Sequence, residues 1–210
     1  MTLGIAIPAH YKHICHLQKL LETLSESTIL PDEVSISISS FDGIIELKEF
    51  PFKLIVNKTP AAKNACENRN IAANNLNTDI ISFFDADDLP NIKRNEFILK
   101  SFDMGANAVL HDYYVSDDRN SKLCYLISEM NYMHNYVDTI FENLSFPKSQ
   151  IKHEDYACGH VSVRREIFDK IKYNEEIGWS PGEDGEYLKR LVYNNFPISY
   201  LHNKLSLYIH

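Results

Sequence analysis

Along the first half of the chain, short apolar runs alternate with stretches of helical spacing. Residues 3–8 form an apolar run rich in β-branched side chains and closed by a proline, which predicts a buried strand. Over residues 11–25 the apolar side chains fall at Ile14, Leu17, Leu20, Leu21 and Leu24, the three-to-four spacing of an amphipathic helix. Pro31-Asp32 breaks that pattern; residues 34–38 then alternate apolar positions with serine, and 52–56 read as a third strand. Thr59-Pro60 sets a hydroxyl cap before a first-turn proline and predicts a helix running to about Asn75. Residues 79–84 are a fourth strand, 92–102 a helix and 108–115 a fifth strand. The stretch 116–155 reads as loops with a helix near 131–142. Beyond it, 164–171 and 183–194 have helical character, and 198–201 and 205–209 that of short strands.

Strands alternating with helices predict an α/β fold with a central, mostly parallel mixed sheet flanked by helices. The chain has 210 residues, enough for one such domain and short for two. In sheets of this kind ligands sit at the carboxyl ends of the strands, and the two most polar ends are Pro8-Ala9-His10-Tyr11 and Asp85-Ala86-Asp87-Asp88. With 29 acidic against 21 basic residues the formal charge is −8, so nucleic acid and anionic membrane are not expected partners. A phosphate ligand would need a metal or a few well-placed cations. Cys15, Cys66, Cys124 and Cys158 lie far apart with no CxxC pair, which argues against a zinc knuckle and for a reduced, cytoplasmic setting. No apolar run approaches the ~20 residues of a membrane span, and the N-terminus lacks the pattern of a signal peptide.

Three carboxylates in four residues after an apolar strand repel one another unless a cation compensates. In an extended segment Asp85 and Asp87 share a face and can address one ion, and hard oxygen donors suit Mg²⁺ or Mn²⁺. The cluster could equally cap the next helix or sit in a solvated turn. An EF-hand loop is excluded, because Leu89 and Pro90 stand where such a loop needs an oxygen donor and a glycine. An aspartyl phosphatase would usually carry threonine where Asp88 stands.

The order of motifs resembles the family 2-like nucleotide-sugar glycosyltransferases of the GT-A fold. Their first strand and turn look like Ile5-Ala6-Ile7-Pro8-Ala9-His10-Tyr11, and their helix before the acidic strand looks like Asn68-Arg69-Asn70-Ile71-Ala72-Ala73. Their acidic segment is similar to Phe83-Phe84-Asp85-Ala86-Asp87-Asp88-Leu89-Pro90. Two later segments, Gly159 to Phe168 and Gly182 to Leu191, and the closing Leu207-Tyr208-Ile209-His210 also match in order. The chain as a whole is similar to the N-terminal domain of a large multidomain viral glycosyltransferase, which implies further domains C-terminal to it and a host-cytoplasm location.

The resemblance implies a single GT-A domain over 1–210, with a nucleotide-binding part at about 1–90 and an acceptor part at about 105–210. It implies a UDP-sugar donor, a glycan or glycoprotein acceptor, and Mn²⁺ (or Mg²⁺) as cofactor. Pro8, Ala9, Tyr11 and Ala86 would line the nucleotide pocket, with Arg69 near the nucleotide. Asp85 would touch ribose or donor sugar and share the metal with Asp87 and His210, an imidazole tilting the choice toward Mn²⁺. Asp184, with Glu183 beside it, would deprotonate the acceptor; as plain structure the same acids would be a first helical turn favoured by the dipole. The family's acidic pair at the end of the second strand is missing here, so Ser40 or Asp42 would read the base. Trp179 either stacks on a sugar or packs in the core.

Two other activities fit the architecture. A sugar-nucleotide pyrophosphorylase would show a glycine-rich phosphate loop near the N-terminus, and residues 3–14 contain only Gly4. A domain that binds UDP-sugar without turnover would need the metal but not Asp184.

Overall fold

Strand β1 (Leu3–His10) is buried from Leu3 to Ala9, because side chains cover both of its faces. A computed structural model describes residues 1–116, 141–144, 160–179 and 182–209. Ile5 and Ile7 join Leu17, Leu20, Leu21 and Leu24 of helix α1 (Ile14–Ser25) on one face. Ala6 points to the other, with Ala72 and Ala73 of α2 (Ala65–Asn74). This alternation is what an apolar run without polar gaps produces when a strand has a layer on each side. Gly4 is required by close approach, since a Cβ there would lie 2.5 Å from Thr78 Oγ1 and 2.9 Å from Leu76 Cδ1.

The other strands are β2 (Glu33–Ser39), β3 (Lys53–Thr59), β4 (Ile80–Phe83), β5 (Leu89–Pro90) and β6 (Ala108–Ser116). They are followed by β7 (Phe141–Leu144), β8 (Ser162–Arg164) and β9 (Ile198–Ile209). Among the described residues these form one sheet in the order β3-β2-β1-β4-β8-β6-β9-β5, with β7 also on β9. The strands β3-β2-β1-β4 are parallel. Strand β8 runs against both β4 and β6, whereas β6 and β9 are parallel. Helices α3 (Arg94–Asp103), α4 (Arg165–Lys170) and α5 (Glu183–Tyr193) complete the layers. The expected α/β architecture with a mixed central sheet is therefore present, its all-parallel part confined to the first four strands. No helix among the described residues is long and apolar enough to cross a membrane.

Three local expectations are corrected, and one strand, β8, was not expected. Helix α2 starts at Ala65, not at Thr59-Pro60, and Thr59 is the last residue of β3. A capping box decides the start: Asn64 Oδ1 accepts the Glu67 N–H at 2.9 Å and the Glu67 carboxylate accepts the Asn64 N–H at 2.9 Å. The two short C-terminal strands are one, β9, whose polar middle at Asn203 and Lys204 is absorbed by register shifts opposite Asp112. Strand β8 has three residues, too few for a period to reveal. Residues 141–144 pair with β9 as a strand, not as the end of a helix; residues 131–140 of that expected helix lie outside the described residues.

Candidate functional site

At the carboxyl ends of β1 and β4, a cleft of about 490 Å³ opens between the turn after β1, the start of α2, the acidic turn and the start of α5. Of the residues expected at a site, Pro8, Ala9, Arg69, Asp85, Ala86, Asp87 and Glu183 line it. Tyr11, Ser40 and Asp42 are not among its walls; Tyr11 is 47% exposed and Ser40 has a left-handed backbone, φ 57°. His210 lies outside the described residues. Trp179, at 72% exposure, lines the cleft, so core packing is not its role.

Asn68 fixes the start of α2 against the strands. It is buried, accepts from Ser37 Oγ at 2.9 Å, and donates through Nδ2 to Ser39 Oγ at 3.0 Å and to the Ala9 carbonyl at 3.4 Å. The next residue, Arg69, is thereby aimed across the strand ends. Only 3% exposed, it is no surface ion pair. Its Nη2 lies 3.0 Å from Asp85 Oδ1, and its Nη1 lies 2.8 Å from Glu183 Oε1 and 3.1 Å from Asp184 Oδ1. Its guanidinium also stacks over the Tyr173 ring, 5.2 Å from the centroid. One buried cation thus gathers three carboxylates from two elements, the acidic turn and the start of α5, the latter 114 residues beyond the arginine itself.

The charges of these acids are not equivalent. Burial works against the Glu183 carboxylate, but its hydrogen bond to Arg69 and that cation's field hold its pKa below the ordinary range. Burial pushes Asp184 up to about 7 in spite of Arg69, with Asp85 and Glu183 adding repulsion. Asp85 is likewise raised, first by burial and then by Asp88 and Asp87, against the pull of Arg69. Asp85, Glu183 and Asp184 outnumber the single charge of Arg69, and Asp87 adds to the excess on the cleft wall.

Behind the acidic turn lies a second, buried layer. Asp88 Oδ1 accepts the Ile209 N–H at 3.0 Å, and its Oδ2 lies 2.8 Å from His160 Nε2. His160 Nδ1 lies 2.8 Å from Ser206 Oγ. Burial lowers the His160 pKa to about 3, so the ring is neutral. Donation to the carboxylate then requires the proton on Nε2, leaving Nδ1 to accept from the serine hydroxyl. Ser206, His160 and Asp88 follow the order of a hydrolytic triad, yet they are 0%, 2% and 1% exposed, so no substrate reaches the serine. The His160 ring stacks on Phe84 at 4.4 Å and near His111 at 5.5 Å. His111 in turn accepts from the fully buried Arg94, whose pKa burial lowers to about 9.

One set of described side chains brings metal-donor atoms together: Asp85, Asp88 and His160, all within 4.8 Å of one another. Two carboxylates and an imidazole fit a divalent cation in the other tautomer, in which the ring proton sits on Nδ1 and is donated to Ser206 Oγ, leaving Nε2 a lone pair for the metal. Of the expected donors, Asp85 belongs to this set. Asp87 stands on the cleft side of the same turn. His160 has no role assigned from sequence, although it lies in a matching segment; a histidine at the mouth of a valine-rich strand is the signal that marks it. His10, His13, Lys63 and Tyr208 are further cleft walls without an assignment from sequence.

No protein-family model matches the sequence, and no curated protein matches it. Solved structures do match in fold. The chain is similar to S. aureus TarS 1–349 with a TM-score of 0.67 at 12% identity, covering 100% of this chain and 60% of that one. The UDP complex of TarS 1–349 matches with a TM-score of 0.67 at 14% identity, covering 100% and 61%. The UDP-GlcNAc complex matches with a TM-score of 0.66 at 12% identity, covering 100% and 59%. The chain thus spans about three fifths of the TarS fragment. At such identity the likeness is one of fold, a single Rossmann-like GT-A domain.

Proposed function

We propose that this chain is the catalytic domain of a metal-dependent glycosyltransferase that moves a sugar from a UDP-sugar to a glycan hydroxyl. The observation that carries the reading is the junction at Arg69, where the acidic turn after β4 meets Glu183 of α5 at one cleft and Asp184 is held on the same cation. Support comes from the fold shared with TarS, which has been solved with UDP and with UDP-GlcNAc. In this reading residues 1–90 carry the nucleotide and residues 105–210 the acceptor.

Asp85 and Asp87, facing the cleft, would hold Mn²⁺ or Mg²⁺ on its open side, with Asp88 and His160 supporting the turn or completing the donor set from behind. When bound, such an ion neutralises the charge that develops on the departing nucleoside diphosphate. Arg69 holds the acids in place, its own charge already matched by them. Asp184, raised to about 7, accepts the acceptor's hydroxyl proton as the oxygen attacks the sugar carbon. The bond from that carbon to the phosphate oxygen breaks, and UDP leaves with the electron pair.

The test is calorimetric titration of UDP, GDP and CMP with and without Mn²⁺. UDP is expected to bind in Mn²⁺ and to lose most of its affinity in chelator; UDP binding indifferent to the metal would sink the reading. Within the same assay Trp179→Ala is expected to weaken the donor or a glycan acceptor by about fivefold, the worth of one aromatic stack. The melting temperature should stay unchanged, because this exposed ring contributes little to the core. A fall in stability without a change in binding would instead make Trp179 structural.

A further inference from the structure

We infer that Lys63 is the side chain that grips the donor's diphosphate, exchanging its present partner Glu67 for phosphate oxygens when the donor enters. The inference rests on the donor reading above. A sugar nucleotide carries negative charge on each phosphate, and the cleft it would enter is already rich in carboxylates. A cation other than the metal is therefore needed on the wall, and Arg69 does not provide it. Both of its Nη atoms hold carboxylates, and its Nε is buried without a hydrogen-bond partner, beyond the reach of a ligand in the cleft.

Among the described lysines and arginines lining the cleft, that leaves Lys63. Its Nζ lies 2.7 Å from Glu67 Oε1, one turn along, with 30% of the lysine and 25% of the glutamate side chain in solvent. A single pair open to solvent on both sides, with the lysine in the loop before the helix cap, is readily exchanged. Glu67 does not depend on the lysine for its position, because its other oxygen accepts the Asn64 N–H in the capping box. Withdrawal of Lys63 therefore leaves α2 capped and Glu67 still hydrogen-bonded and hydrated. Both bonds are charge-assisted, but a diphosphate offers the ammonium several oxygens and more negative charge than the one carboxylate oxygen it leaves. Glu67 thus works as a rest for the lysine, keeping it at the rim of the cleft rather than collapsed onto Asp85 or Asp87.

The experiment compares uridine, UMP and UDP binding to the wild type and to Lys63→Met in Mn²⁺. The variant is expected to bind UDP about ten- to a hundredfold more weakly, the range for a lost charge-assisted hydrogen bond, and to bind uridine as the wild type does. Retained uridine binding also certifies that the variant is folded. Equal losses for uridine and UDP, or an unchanged UDP affinity, would overturn the assignment. A wild type that binds UDP no better than uridine is a different result, one that removes the donor reading itself and this inference with it.

Discussion

Asp87→Ala is expected to lower UDP affinity in Mn²⁺ by roughly a hundredfold, down to the affinity measured in chelator, while leaving the fold intact. Asp87 lines the cleft and lies on the open side of the acidic turn. On the proposed reading its removal takes away a metal donor, and it does so without uncovering the core. Asp88→Ala provides the contrast. Asp88 is 1% exposed and pairs with His160 Nε2 and the Ile209 N–H, so its loss leaves two buried donors unsatisfied. That loss is expected to cost about 1–3 kcal/mol per donor in stability, seen as a lowered melting temperature. Thermal melts and UDP titrations on both variants separate the roles. If Asp87→Ala binds UDP as the wild type does in Mn²⁺, the metal is not held from the cleft side.

Asp184→Asn is expected to lower turnover by about 10²- to 10⁴-fold with UDP affinity preserved, the scale of a lost general base. The pH profile carries the sign. A base works only when deprotonated, and burial raises Asp184 to about 7. The wild-type kcat/KM should therefore rise with pH through that value and level off above it. In the variant that limb should vanish, leaving a low and flatter profile. Turnover unchanged by Asp184→Asn, with Mn²⁺-dependent UDP binding intact, would assign proton removal to another group. Failure of the wild type to turn over any donor would instead favour a domain that binds without reacting.

The acidic turn was legible because its signal is local: three carboxylates directly after an apolar strand ask for a counter-charge. Helix α1 and strands β1 to β4 were legible for the same reason, each revealed by a period within its own residues. The start of α2 shows how local signals compete. Thr59-Pro60 reads as a helix start, but the reciprocal hydrogen bonds of Asn64 and Glu67 satisfy two backbone groups at a later position and prevail. What the sequence could not reveal is pairing at a distance. The bonds of Arg69 to Glu183 and of His160 to Asp88 span 114 and 72 residues. Nothing near either end announces its partner. Resemblance singled out Asp184, and only the structure shows that it pairs with an arginine already shared with Asp85.

The bond from the Ile209 amide to Asp88 bears on the order in which the molecule is made. Synthesis delivers β1, β2, β3 and β4 first, and these four can pair and collapse using neighbours already present. The acidic turn that follows them must wait for His160, Ser206 and Ile209, the last of these 121 residues later. Contacts of such separation form late, after a large loop has closed. A nascent or truncated chain lacking β9 is therefore expected to hold a native-like parallel half-sheet whose Asp88 has neither the histidine nor the backbone amide that orders it. In such a chain the half-sheet precedes the ordered turn, which is completed only when β9 supplies the Ile209 amide and the Ser206 hydroxyl.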